Sequence, residues 1–400
     1  MIYKRRIIDE ILEYIEDRNI IVLIGARQVG KTSIMLYLKE LLAKQNKKIY
    51  YIDLEDYRYV QIIDEGCNVF INHLKEEGFD INKELWVFID EIQYLKNPSN
   101  FLKFIFDHYK NIHLIVSGSS TFEIRKKFKD SLVGRTLVFE IFPLSFAEFL
   151  NFKNKKLPEI KKLTAIKRDE LKKLFMEYVR FGGYPKVVLA DKANKKEKYL
   201  QQIVNTYIRK DIRDIGNIRN IDKFNKLLEA LSQQSGNLLN MEELANTSKI
   251  SKQTVENYLF ILENTFIIKL VRPYYNNIRS ELYKKPKIFF FDTGLMQMLW
   301  LKLIPPTVIG NVFETAIYGE LVKKFNRENI FYWRTKDKKE IDFIIRSRED
   351  IIPIEAKLNF NNFKKTAINY FLKKYKLNNH KVVGIEGDKK SEYFIYPWEL

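Results

Sequence analysis

Apolar residues along this chain fall into three rhythms. Continuous runs of strand length stand at Ile20–Ile24, Lys48–Asp53, Leu85–Asp90, Ile112–Ser117 and Leu137–Ile141, and predict five buried strands. Ser33–Leu42 repeats at helical spacing directly after the first run, and a Lys-rich helical stretch occupies about 146–176. Beyond residue 180 the pattern changes. Arg180-Phe181-Gly182-Gly183-Tyr184-Pro185 demands a special turn, expected at a seam between the five-strand region and the remainder of the chain, and Tyr207–Ile212 lies in a further helix. Residues 238–291 read as a winged helix-turn-helix: a short helix at Met241–Ala245, a turn at Ser248–Ile250, a helix capped by Ser251, and wing strands at Phe266–Val271 and Lys287–Phe291. In the second of these helices Val255, Leu259 and Leu262 share an apolar face, while Lys252, Gln253, Glu256 and Asn257 point outward. The last hundred residues alternate like strands at Phe331–Arg334 and Glu340–Ile345. A third strand begins at Pro353, and Gly310–Glu314 opens a helix before them.

Between the first strand and its helix stands Gly25-Ala26-Arg27-Gln28-Val29-Gly30-Lys31-Thr32, which matches G-x-x-x-x-G-K-[ST] in the strand–loop–helix order that gives the pattern a mechanism. The two glycines let successive N–H groups turn inward as an anion nest at a helix N-terminus. Residues Gly25 through Ser33 are therefore expected to hold the phosphates of ATP, with Lys31 on the terminal phosphates and the Thr32 hydroxyl on Mg²⁺. The third run ends in Asp90-Glu91. Asp90 is expected to hold Mg²⁺ and Glu91 to polarise the attacking water as general base. The fourth run ends in Ser117-Gly118-Ser119-Ser120, where Ser117 or Ser119 is expected to sense the γ-phosphate; spacing does not choose between them. Arg135, just before the fifth run, is a candidate phosphate-facing arginine, acting in its own chain or from a neighbouring subunit, against a structural salt bridge. Asp53, Glu55 and Asp56 end the second run close to where a metal would sit, although capping a turn explains them better. With the five runs forming one parallel sheet, ligands belong at its carboxyl edge.

The C-terminal alternation carries a second set. Glu355 and Lys357 are two apart and share a strand face, and Asp342 lies one hairpin earlier, so the three can converge. Two carboxylates and a lysine so placed would bind Mg²⁺ and activate water against a phosphodiester. Glu314 from the preceding helix is a fourth candidate, with Glu320 as its alternative.

Composition adjusts this picture in three ways. At 400 residues the chain should divide into two or three domains. One cysteine excludes a disulfide framework and a cysteine zinc site. A net charge of +18 suits a nucleic-acid partner, but Lys far outnumbers Arg, and charge alone does not decide. No apolar run approaches the ~18 residues of a membrane span, and the charged amphipathic N-terminus is not signal-like, so a cytoplasmic protein without membrane attachment is expected.

Taken together, GARQVGKT, FIDEIQ at Phe88–Gln93, SGSS, LVGR, FPLSF, FGGYP, YIRKDI, PKIFFFDTGL at Pro286–Leu295, YWRTKDKKEIDF and IEAK resemble a widespread archaeal and bacterial family of AAA-type ATPases. Its members pair a P-loop core with a winged helix and a C-terminal domain of the restriction-endonuclease (PD-(D/E)xK) fold. The resemblance implies an α/β chain with an AAA-like ATPase core over 1–150, a helical lid or connector over 151–220, a winged helix-turn-helix over 221–300 and a nuclease-like domain over 301–400. It places Glu314, Asp342, Glu355 and Lys357 at nuclease-type positions. Ile341 precedes Asp342 where such cores often carry proline. Three functions compete: an ATP-driven DNA-processing protein, a regulatory NTPase whose C-terminal half binds protein partners, and a small-molecule kinase. The kinase is disfavoured by Glu91 and by the lack of an acceptor-binding lid.

Overall fold

A computed structural model describes residues 3–118, 132–158, 163–206, 218, 220–275, 285–347 and 350–400. The chain divides into two compact units, residues 1–142 with 264–266, and residues 143–263 with 267–400.

In the first unit the predicted runs are strands β1 (Ile20–Gly25), β2 (Ile49–Asp53), β3 (Leu85–Asp90), β4 (Ile112–Gly118) and β5 (Thr136–Ile141). They form one all-parallel sheet in the order β2-β3-β4-β1-β5. β1 and β3 are buried along their whole length, as strands covered on both faces must be, which is why they read as unbroken apolar runs. Helix α1 (Ile7–Leu12) buries Ile8 and Ile11, and α2 (Lys31–Lys44) follows β1 directly. Between β2 and β3 run α3 (Tyr57–Glu65) and α4 (Cys67–Glu76); α5 (Pro98–His108) precedes β4. Asp56 caps α3 by accepting from the Arg58 N–H, and Asp53 accepts from the Glu55 N–H, so these acids close the turn after β2.

The second unit opens with α6 (Phe146–Phe152), whose Ser145–Glu148 capping box starts it sharply, and α7 (Ala165–Phe181). The Lys-rich helical stretch expected here is thus made of two helices. Asn154 adopts φ 55° and Pro158 lacks an amide hydrogen, so the backbone leaves the helix before Thr164 caps the next one. Further along come α8 (Ala193–Ile203), α9 (Ile221–Gln233), α10 (Met241–Ser248), α11 (Lys252–Asn264), and an antiparallel pair, β6 (Ile268–Val271) with β7 (Lys287–Phe290). The turn between α10 and α11 bends at Lys249, φ 55°, and Ser251 Oγ accepts from the Thr254 N–H. Val255, Leu259 and Leu262 are buried; Lys252, Gln253, Glu256 and Asn257 are exposed. YIRKDI at 207–212 lies outside the described residues.

Helices α12 (Thr293–Leu301) and α13 (Gly310–Lys324) lead into a mixed five-stranded sheet. It comprises β8 (Ile330–Arg334), β9 (Glu340–Arg346), β10 (Ile351–Ala356), β11 (Lys381–Val383) and β12 (Phe394–Ile395), in the order β12-β11-β10-β9-β8. Helix α14 (Lys365–Tyr375) packs on it through Ile368 and Phe371.

The FGGYP turn is placed differently from its expectation. It lies inside the second unit and meets the start of α12. Gly183 N donates to the buried Asp292 carboxylate at 2.7 Å, and a Cβ on Gly182 would fall 2.2 Å from that carboxylate. A Cβ on Gly294 would fall 2.1 Å from the Phe181 carbonyl oxygen. Glycines on both sides allow two backbones to touch, which explains FGGYP and FDTGL as one interlock. Burial raises the Asp292 pKa, and the N–H groups of Leu295 and Gly183 offset only part of it.

Candidate active site and a second charged cluster

The P-loop joins β1 to α2 at the carboxyl edge of the parallel sheet. Gln28 and Gly30 take positive φ, 63° and 98°, which curls the loop. Gly25 sits against the end of β5, where a Cβ would fall 2.2 Å from the Ile141 carbonyl oxygen; any larger residue would push the loop off the sheet. No side chain caps the N-terminus of α2, so its first-turn N–H groups face the loop. Lys31 is buried and donates to the Gly25 and Ala26 carbonyl oxygens at 3.1 and 3.0 Å. Burial lowers its pKa, and Glu91 and Asp90, which raise it, do not make up the loss.

Asp90 and Glu91 end β3 at the same edge. The buried Asp90 carboxylate accepts from Tyr51 Oη at 3.0 Å, from the Glu91 N–H at 3.1 Å and from Ser117 Oγ. Tyr51 is a member of this site that sequence reasoning missed. Its position in β2, paired beside β3, was the available signal, because Asp53 stands directly across from Asp90. Glu91 adopts φ 57°, ψ 49°, an unusual conformation for a glutamate and one that clusters at functional sites. Its carboxylate accepts from Gln93 Nε2, another residue the sequence did not single out for itself.

Two expectations are corrected by this geometry. Ser117 is wholly buried and its hydroxyl is committed to Asp90, so it holds that carboxylate rather than facing a phosphate. Ser119, the other candidate, lies outside the described residues. Arg135 stands at the amino edge of the sheet, where its carbonyl accepts from the Ile20 N–H at 2.8 Å. The P-loop begins at the other end of β1, roughly 16 Å away at ~3.3 Å per residue. Arg135 donates to Asp107 at 3.0 Å, so it does not face the phosphate site of its own chain.

Mg²⁺ takes oxygen ligands. Asp90 and the exposed Thr32 hydroxyl at the first turn of α2 supply them at one sheet edge, next to the uncapped N–H groups, and these residues fit the ion.

The C-terminal set does converge. Lys357 bridges Asp342 at 2.7 Å and Glu355 at 2.6 Å, and the Ala356 N–H donates to Asp342 at 2.9 Å. The structure adds a residue that the sequence pattern marks only as part of a wing strand. Lys287, on β7 and 2% exposed, reaches Glu314 at 3.1 Å and Glu340 at 2.7 Å. Four carboxylates thus meet two ammonium groups. Burial lowers the Lys287 pKa, but Glu314, Asp342 and Glu340 outweigh it and the net shift is upward; Lys357 behaves alike through Asp342 and Glu355. Burial pushes Glu355 well up and Glu314 up to about 7, while Asp342, opposed by burial, is held down by Lys357 and Lys287. Among the described residues no group of three or more acids, histidines or cysteines is arranged to hold a metal ion, and the two lysines bridge these carboxylates in pairs. Glu320, the alternative fourth member, is elsewhere, accepting from the Phe146 N–H at 3.1 Å and standing 2.6 Å from Tyr178 Oη.

Among the described residues no helix is long and apolar enough to cross a membrane. Residues 17–150 match the model of an AAA domain. Two domains of unknown function, DUF8612 and DUF4143, match residues 172–306 and 309–399. An uncharacterized protein of Haemophilus influenzae is 26% identical over 366 residues, 89% of this chain and 86% of its own length. Among solved structures, Cdc6p from Pyrobaculum aerophilum covers 68% of this chain and 89% of its own, at 13% identity and a TM-score of 0.33, an overlap too loose to carry an argument. The uncharacterized protein MJ1544 of Methanocaldococcus jannaschii is 30% identical over 371 residues, 90% of this chain and 80% of that protein. The chain belongs to the family of MJ1544 and carries an AAA domain at its N-terminal end.

Proposed function

We propose that this protein is a Mg²⁺-dependent ATPase whose hydrolysis cycle drives the second unit between states that bind DNA differently. The observation that carries the reading is the pairing, at one sheet edge, of an uncapped helix N-terminus and Lys31 with the braced acids Asp90 and Glu91. In it, backbone N–H groups of residues 25–33 and Lys31 bind the phosphates, and Thr32 and Asp90 hold Mg²⁺, which neutralises charge on the phosphates when bound. Glu91 takes the proton of the attacking water, after release from Gln93. The exposed row Lys252, Gln253, Glu256 and Asn257 on α11 supports the DNA arm as the outward face of a helix-turn-helix, with Glu256 and the Lys252–Glu242 pair at 2.8 Å acting against it. ATP hydrolysis measured with and without single-stranded, duplex and branched DNA, and with Mg²⁺ chelated, tests it. Hydrolysis that needs Mg²⁺ and responds to DNA supports the reading; hydrolysis indifferent to every DNA removes the DNA arm.

The closed acid–lysine cluster favours a second reading of the C-terminal half, as a protein-docking module without nuclease activity in a regulatory NTPase. Lysines already neutralise the carboxylates that a nuclease would offer to a metal. DNA affinity that is weak and insensitive to salt would favour this reading, because phosphate contacts impose a steep salt dependence.

A further inference from the structure

Arg5 lies in the segment just before α1, where its sequence neighbours Lys4 and Arg6 read as part of a charged surface helix. In the fold it is 6% exposed. One guanidinium nitrogen donates to the Val29 carbonyl oxygen and the other to the Phe142 carbonyl oxygen, both at 2.9 Å. Val29 is the residue before Gly30 in the P-loop. Phe142 directly follows Ile141, whose carbonyl lies against Gly25. The planar guanidinium therefore ties the far side of the loop to the strand end on which its first glycine already rests.

In a trans peptide the C=O of one residue and the N–H of the next point in opposite directions. Holding the Val29 carbonyl toward Arg5 therefore turns the Gly30 N–H away from Arg5. Gly30 sits at φ 98°, a conformation that glycine takes without a Cβ penalty, and its own carbonyl accepts from the Ile34 N–H at 3.0 Å. We infer that Arg5 is a positioning residue for nucleotide binding, fixing the Gly30 peptide so that its N–H is presented to the phosphates before ATP arrives.

This rests on the ATPase reading, and the test separates the two. Mg²⁺–ATP affinity is measured by calorimetry, and KM and kcat by hydrolysis, for the full-length parent, Lys31→Ala, Arg5→Ala and Arg5→Lys. Loss of the two charge-assisted hydrogen bonds that tie the loop carbonyl of Val29 to the strand-end carbonyl of Phe142 should weaken ATP binding roughly 10–100-fold in Arg5→Ala, with KM raised and kcat changed by less than about threefold. Lysine reaches one carbonyl but not both, so Arg5→Lys should fall between. A purely structural arginine would lower the melting temperature and leave the ATP dissociation constant of the folded protein alone. That result in Arg5→Ala overturns the proposal, as does parental affinity in Arg5→Lys should Arg5→Ala not fold. If the parent itself binds no ATP, the ATPase reading falls and the proposal with it. If the parent binds, Lys31→Ala does not, and Arg5→Ala binds like the parent, only the proposal falls.

Discussion

Both charged sites are built around lysines, Lys31 and Lys287 buried and Lys357 half-buried, and the two sites use them in opposite ways. Lys31 rests on two carbonyl oxygens, its pKa is lowered by burial, and among the described residues it forms no ion pair. On the proposed ATPase reading, its charge is left for a ligand. Lys287 and Lys357 each stand between two carboxylates, and their pKa values are raised despite burial. Their charge is spent inside the protein. A buried cation without an acid partner is costly, and an anion that supplies one is bound tightly; a buried cation with two acid partners holds elements together instead. The same side chain thus stands without an ion pair among the described residues of the first unit, where the proposed ATP site lies, and joins β7, α13 and the C-terminal sheet electrostatically in the second.

The contrast can be broken in several places. Glu91→Gln should keep Mg²⁺–ATP binding and lose roughly 10²–10⁴-fold in turnover. Turnover at the parental rate would mean that the open site does its chemistry with another base. Lys287→Met should destabilise the full chain by about 3–5 kcal/mol, because Glu314 loses its buried counter-ion and Glu340 keeps only its pair with Arg334. Urea unfolding reads this. Converting Glu314 and Glu340 to Gln in the same chain should recover part of the loss, and a cost below about 1 kcal/mol for Lys287→Met would show that the joint is not closed by this lysine.

Lys31→Ala should weaken ATP binding by roughly 10²–10³-fold with little change in unfolding free energy, since among the described residues this lysine is hydrogen-bonded only to carbonyl oxygens and forms no ion pair. A large loss of stability with intact nucleotide affinity would invert the comparison. Glu314 offers a pH test. Its pKa is raised from 4.5 to about 7, by burial first and Asp342 next. Between those values the native state binds more protons than the unfolded state, so stability falls as pH rises through that window. The fall is at most about 3 kcal/mol, and Glu314→Gln should flatten the profile between pH 4.5 and 7. An unchanged slope in urea titrations across this range would remove Glu314 from the coupled cluster. Arg135→Ala should cost under about 1 kcal/mol of stability, because its half-exposed pair with Asp107 is solvated. If its role lies across a subunit boundary, turnover should recover when Arg135→Ala is mixed with Lys31→Ala; no recovery leaves Arg135 a surface ion pair.

The sequence by itself determined the features that short-range rules govern. Strand runs, the P-loop between β1 and α2, the Asp90–Glu91 strand end, the helix–turn–helix order and the D…E-x-K alternation all depend on residues within one hairpin or one strand–loop–helix unit. Period and glycine placement suffice to read them. Tertiary structure decided every matter that hangs on which elements lie side by side. The amino edge of a parallel sheet is as good a place for an arginine as the carboxyl edge until β5 is laid beside β1, and only then does Arg135 fall on the side away from the loop. Ser117 reads as a phosphate sensor until β4 brings its hydroxyl onto Asp90. Gly182 and Gly183 read as a domain seam until Asp292 fills the space beside them. Lys287 reads as a wing residue, 55 positions from Asp342, and nothing in local periodicity reports that its ammonium will enter the acid cluster. The physical reason is common to all four: a charge or a missing Cβ acts over a few ångströms of space, and the chain sets those distances only after it has folded.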